Sequence, residues 1–140
     1  MMRDIVSLLS IASLLLTAAH VHAQGYPNSA INLVIPLAPG DASDIAGRTM
    51  AEELAKLLKV AMVPVNRPGA GGTLGADSVV KAKKDGYTIL LTNNASLIFN
   101  RVLTPESVSY DPFKDLTPLG LATRTPILFT VRQDAPYKRF

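Results

Sequence analysis

Between residues 31 and 92 the chain alternates three short apolar runs with two longer stretches of helical period, and this alternation constrains the fold more than any other feature. The runs are INLVIP (Ile31 to Pro36), AMVPVN (Ala61 to Asn66) and YTILLT (Tyr87 to Thr92). Each has the length and apolar content of a strand, and each is followed by residues rich in Gly, Pro, Asn, Asp or Ser. In the first intervening segment Ile45, Ala46, Met50, Leu54, Leu57 and Leu58 recur every three or four residues, which predicts a helix over Ser43 to Leu58 with one buried stripe. Glu52 and Glu53 then belong to its solvated face. In the second segment Thr73 reads as the N-cap of a helix reaching Lys83 or Lys84, closed by Asp85-Gly86. Strand and helix in alternation predict βαβ units and an α/β fold with a mostly parallel sheet and flanking helices. The third run, apolar at Ile89, Leu90 and Leu91, reads as a central buried strand, with Asn93 to Ser96 as the loop after it. Beyond Arg101, SYDPFKDLTP lacks a period and reads as loop and turn, with Tyr110 and Phe113 packed as core. Leu119 to Ala122 and Ile127 to Val131 read as further short strands.

The first 23 residues read as a secretory signal peptide, which predicts export; the other reading is an uncleaved anchor. Arg3 supplies a positive n-region, Ile5 to Ala19 is mostly apolar, and Val21-His22-Ala23 offers a cleavage site. Its removal takes away Arg3 and Asp4, one charge of each sign, so the formal net charge stays +3. Residues 24–140 suffice for one modest domain. A basic excess this small, without a run of Lys or Arg, predicts no nucleic-acid partner. There is no cysteine, which excludes thiol chemistry, iron–sulfur clusters and disulfides. His20 and His22, the two histidines, both lie in the expected leader. The mature chain would then lack both the commonest general base and the commonest transition-metal ligand. An enzyme with Asp41 or Asp44 as base has no nucleophile or metal partner in this sequence, so no catalytic residue, metal or cofactor is expected.

Residues 66 to 75, NRPGAGGTLG, place four glycines between the second run and the second helix. A dinucleotide fingerprint counted from Gly69 requires a third glycine at Leu74, and the glycine falls one residue late, at Gly75. A P-loop requires Gly-Lys followed by Ser or Thr, and this tripeptide does not occur. Two readings stay open for the loop. Its amides could hold a small anion at the helix start, or Pro68-Gly69 could simply form a tight turn. In an open parallel sheet the loops at 37 to 44, 67 to 73 and 93 to 96 leave the same strand ends and share a rim, and polar loops without His, Cys or Lys suggest binding rather than catalysis.

The segments IPLAPGDASDIAGR, VNRPGAGGTLGAD, DGYTILLT and SYDPFKDLTPLGLAT, in this order behind a leader, resemble the Bug or TctC family, the extracytoplasmic solute receptors of tripartite tricarboxylate transporters. The similarity runs from about Tyr26 to Tyr137. It implies a type II periplasmic-binding-protein fold whose two lobes close on a small carboxylate (a di- or tricarboxylate, an amino acid or an aromatic acid) and hand it to membrane permease subunits. It also implies a longer protein, of which residues 24–140 are most of one lobe, folding marginally with an exposed sheet edge. The alternative is a truncated remnant without a ligand. Carried over residue by residue, the resemblance puts Pro39, Gly40, Asp41, Ala42, Ser43 and Asp44 in a first ligand wall, Asn93, Asn94, Ala95 and Ser96 in a second, and Gly71, Gly72 and Thr73 in a third. One departure stands out. The family's first loop usually reads P-P-G-G-x-x-D, whereas A-P-G-D-A-S-D puts Asp41 at a glycine position. Either Asp41 turns to solvent or to the helix start, or the ligand carries a cation, as an amino acid does.

Overall fold

The computed structural model describes residues 25–124, together with 128, 130–134 and 136. The expected signal peptide lies outside the described residues. Three parallel strands, β1 (Ile31–Ile35), β2 (Met62–Asn66) and β3 (Thr88–Leu90), form one sheet in the order β2-β1-β3. Ile31 pairs with Met62 and Ile35 with Asn66 on one side of β1, and Asn32 pairs with Thr88 and Val34 with Leu90 on the other. The expected α/β architecture is therefore present, but its centre is β1 rather than β3. Hydrogen-bonded on both sides, β1 buries Ile31, Leu33, Val34 and Ile35, whereas every residue of β3 is only half-buried.

Side chains alternating along the strands divide the core into two layers. On one face Ile31, Leu33 and Ile35 meet Ala51 and Met62, with Met50, Leu54, Ala55, Ile89 and Leu91 packed around them. On the other, Ala76, Val108 and Tyr110 gather with Val80, Leu90 and Leu97. The first layer is covered by α1 (Ala42–Leu58), the second by α2 (Thr73–Val80).

The buried stripe of α1 matches the one its apolar period predicts only in part: Met50 and Leu54 pack against the core, but Ile45 and Leu57 do not. Asp44, Gly47 and Ala51 face the sheet, while Ile45 and Leu57 are 60% and 77% exposed. Small residues win because the helix lies close to the strands: a Cβ on Gly47 would come within 2.8 Å of both Ile35 Cδ1 and Leu91 Cδ2. Glu52 and Glu53 are exposed as expected and pair with Lys56 at 3.4 and 2.8 Å. Lys59, in left-handed conformation, caps the C-terminus of α1 through its amide to the Ala55 carbonyl.

A single 3₁₀ turn, Ala70–Gly72, leads into α2. Gly72, at φ 95°, is the residue before the helix, so Thr73 is its first residue and not its cap; the Thr73 hydroxyl donates back to the Ala70 carbonyl at 2.9 Å. The helix ends at Val80, short of Lys83, and Gly86 (φ 83°) makes the expected left-handed turn into β3. Residues 93 to 96 depart most from expectation. Only Asn93 is loop. A π-type turn, Ala95–Phe99, continues into α3 (Asn100–Leu103), and Asn93 Oδ1 accepts from the Ser96 amide at 3.0 Å. Farther on, SYDPFKDLTP contains a short helix, α4 (Pro112–Asp115), capped by Asp111. Tyr110 is buried, but Phe113 is 82% exposed, so the expected core pair is not formed. No strand forms at Leu119 to Ala122, and the candidate at Ile127 to Val131 falls partly outside the described residues.

Candidate functional site

All three strands run the same way, so the connections after β1, β2 and β3 emerge at one edge of the sheet. Specific contacts bind them together there. The Asn66 side chain, at the end of β2, donates to the Leu37 carbonyl (3.1 Å) in the first loop. The Asn100 side chain donates from Nδ2 to the Gly71 carbonyl (2.9 Å), joining the glycine loop to the third segment. Gly72 packs so tightly on Ser96 that a Cβ there would overlap the serine side chain, and it would lie 3.3 Å from the Pro36 carbonyl. Gly75 gives the same closeness one turn later, where a Cβ would sit 2.7 Å from the Arg67 carbonyl oxygen and from Pro36 Cβ. Close packing therefore explains Gly75.

The thirteen sequence-selected residues separate by depth. Pro39, Gly40, Asp41, Ala42, Gly71, Asn93, Asn94 and Ala95 are exposed along the rim, and Ser43 is half-buried. Asp44, Gly72, Thr73 and Ser96 are buried beneath them. Asp44 is the centre of this lower layer. The residue is 3% exposed, and its carboxylate accepts from the Gly40 amide (2.9 Å), from Arg48 Nε (3.0 Å) and from Asn66 Nδ2 (2.8 Å). The Arg48 guanidinium also donates to Asn66 Oδ1 at 2.7 Å, which closes the ring. Hydrogen bonds from Arg48, Gly40 and Asn66 hold the Asp44 carboxyl far below the usual carboxylate range, against the opposing effect of burial.

Asp41 takes one of the orientations expected of it. It turns to the helix start, where Oδ1 accepts from the Ser43 amide at 2.8 Å and caps α1. Under the third segment, buried Tyr110 donates its hydroxyl to the Ser96 carbonyl at 3.3 Å, and Arg101 donates to the Tyr110 carbonyl at 2.6 Å. Arg48, Asn66, Asn100 and Tyr110 were not among the residues selected from sequence. Of these only Arg48 has a local signal, the i, i+4 spacing from Asp44 that suits an ion pair on a helix.

Residues 46–140 match the family described as "Tripartite tricarboxylate transporter family receptor". The chain belongs to this family. A UPF0065 protein from Bordetella bronchiseptica is 35% identical over 124 residues, which cover 89% of this chain and 37% of that relative. Protein BugT from Bordetella pertussis is 33% identical over 111 residues, covering 79% of this chain and 34% of BugT. Among solved structures, MatC from Rhodopseudomonas palustris with bound malate is 34% identical and superposes with a TM-score of 0.63 over 66% of this chain and 31% of MatC. A structure described as a periplasmic transporter gives 36% identity and a TM-score of 0.62 over 64% of this chain. The receptor family and the periplasmic-binding-protein fold expected from sequence are thus found. The chain spans a little over a third of the length of the curated relatives it matches.

Proposed function

We propose that this chain contributes one wall of the ligand cleft in a periplasmic receptor for small carboxylates, which passes its solute to membrane permease subunits of a tripartite transporter. The observation that supports this most directly is the convergence of three strand-end loops on one rim, bound together by Asn66, Asn100 and Gly72. In this reading Pro39 to Ser43, Gly71 and Asn93 to Ala95 meet the solute, while Asp44, Gly72, Thr73 and Ser96 hold the backbone in place. First-turn amides of a helix lack partners within the helix, and the helix dipole favours an anion there by about 0.3 to 1 kcal/mol. Ala42 at the start of α1 and Asn94 with Ala95 at the third segment offer such amides. Malate bound to MatC, which superposes on this chain, supports a carboxylate as the class of solute. Export follows from reading residues 1–23 as a leader.

A thermal-shift screen of the purified chain against dicarboxylates, tricarboxylates, acidic amino acids and aromatic acids tests the proposal. A true ligand present at a hundred times its Kd stabilises the fold by about 2.7 kcal/mol and raises the melting temperature. No shift with any of these acids, from a folded baseline, would overturn it. Periplasmic fractionation tests the export reading separately.

A further inference from the structure

Two carboxylates of the chain already occupy amides of the first loop, and they differ in how their charge is met. Asp44 accepts from the Gly40 amide, but it is buried and neutralised by Arg48 at 3.0 Å. Asp41 accepts from the Ser43 amide, is exposed, and forms none of the ion pairs found among the described residues. Of the two acids on this loop, only Asp41 therefore presents to the rim a negative charge that no Lys or Arg pairs with among the described residues. We infer that Asp41 sets the specificity of the site, acting as an internal carboxylate that a dianionic solute must displace or approach against repulsion. This inference rests on the carboxylate-receptor reading above.

The argument is one of distance and charge. A solute oxygen on the Ser43 amide would take the place of Asp41 Oδ1, and one on the neighbouring Ala42 amide would share the start of α1 with the Asp41 carboxylate. Like charges about 4 Å apart lower affinity by about fivefold under full solvent screening, and by several hundredfold at an effective dielectric of 20. An ammonium group beside the solute carboxylate reverses the sign of that interaction. Asp41 thus favours an amino-acid zwitterion over a plain diacid of the same length.

Succinate and aspartate, which differ by one ammonium group, are the probes. Calorimetric titration of the full chain and of Asp41→Asn separates charge from capping, because asparagine retains the side-chain oxygen and caps helices about as well as aspartate. The expected result is that Asp41→Asn binds succinate at least about fivefold more tightly and aspartate more weakly, with an unchanged melting temperature. Asp41→Ser, also a capping residue, should behave the same way if the asparagine variant folds poorly. A succinate-to-aspartate affinity ratio that stays within about twofold of wild type, in a protein that binds either acid, would overturn the role of Asp41 and leave the receptor reading intact. If no variant binds either acid, or any other carboxylate in the screen, the receptor reading and the specificity role fall together.

Discussion

Asp44 illustrates how one buried side chain can fix a surface loop. Its acceptor sites are taken up by the Gly40 amide, Arg48 and Asn66, so the loop after β1 is attached both to its own helix and to the end of β2. Replacing it with alanine leaves those donors without their partner and should lower the melting temperature at neutral pH. The pH dependence carries a definite sign. A carboxyl whose folded-state value is depressed contributes stability above its ordinary range and loses it as pH falls. The gap in melting temperature between wild type and Asp44→Ala should therefore be constant near neutrality and narrow below about pH 4. A gap that stays the same down to pH 2 would contradict the bonding described. Tyr110→Phe removes a single hydrogen bond, to the Ser96 carbonyl, and should cost about 0.5 to 1.5 kcal/mol in denaturant unfolding.

The strands and helices separate what the sequence states from what it leaves to packing. Strand positions and the extent of α1 were legible because apolar runs and glycine-rich punctuation are local signals. The buried face of α1 was legible only in part: Met50 and Leu54 pack against the core, but Leu57 and Ile45 fit the same 3.6-residue period yet point outwards, while Gly47 and Ala51 lie against the sheet. How closely a helix approaches a strand depends on the partner surface, which periodicity does not encode. The two readings predict different costs. If Leu57 were buried, Leu57→Ala would cost about 2 to 5 kcal/mol. At its exposed position the cost should stay within about 0.5 kcal/mol, whereas Leu33→Ala in β1 should cost the larger amount. Gly75→Ala should destabilise by about 1 to 3 kcal/mol, because the added methyl meets backbone that cannot rotate away. The rim itself was legible as three polar loops. Its supporting side chains were not, because Asn66 and Asn100 meet residues 29 positions away in the chain.

Over the full set of described residues, apolar groups lie open to solvent on the sequence beyond β3. Phe99, Val102, Leu103, Phe113, Leu119 and Leu121 are all exposed, and the far edges of β2 and β3 have no further strand beside them among the described residues. Surface of this kind binds environment-sensitive dyes. The folded chain should brighten anilinonaphthalene sulfonate at neutral pH, and serine at 119 and 121 should reduce the signal; fluorescence no greater than that of buffer would argue that these side chains are covered in solution. The opposite end of the sheet is quite different. Tyr26 stacks edge-on against Tyr87 at 5.2 Å and donates its hydroxyl to the Gly86 carbonyl at 2.8 Å, which fastens the segment before β1 to the start of β3. Tyr26 is consequently anchored at the pole away from the loops of the rim. A sensor surface coupled ahead of that point would hold each molecule with its strand ends directed into the sample stream.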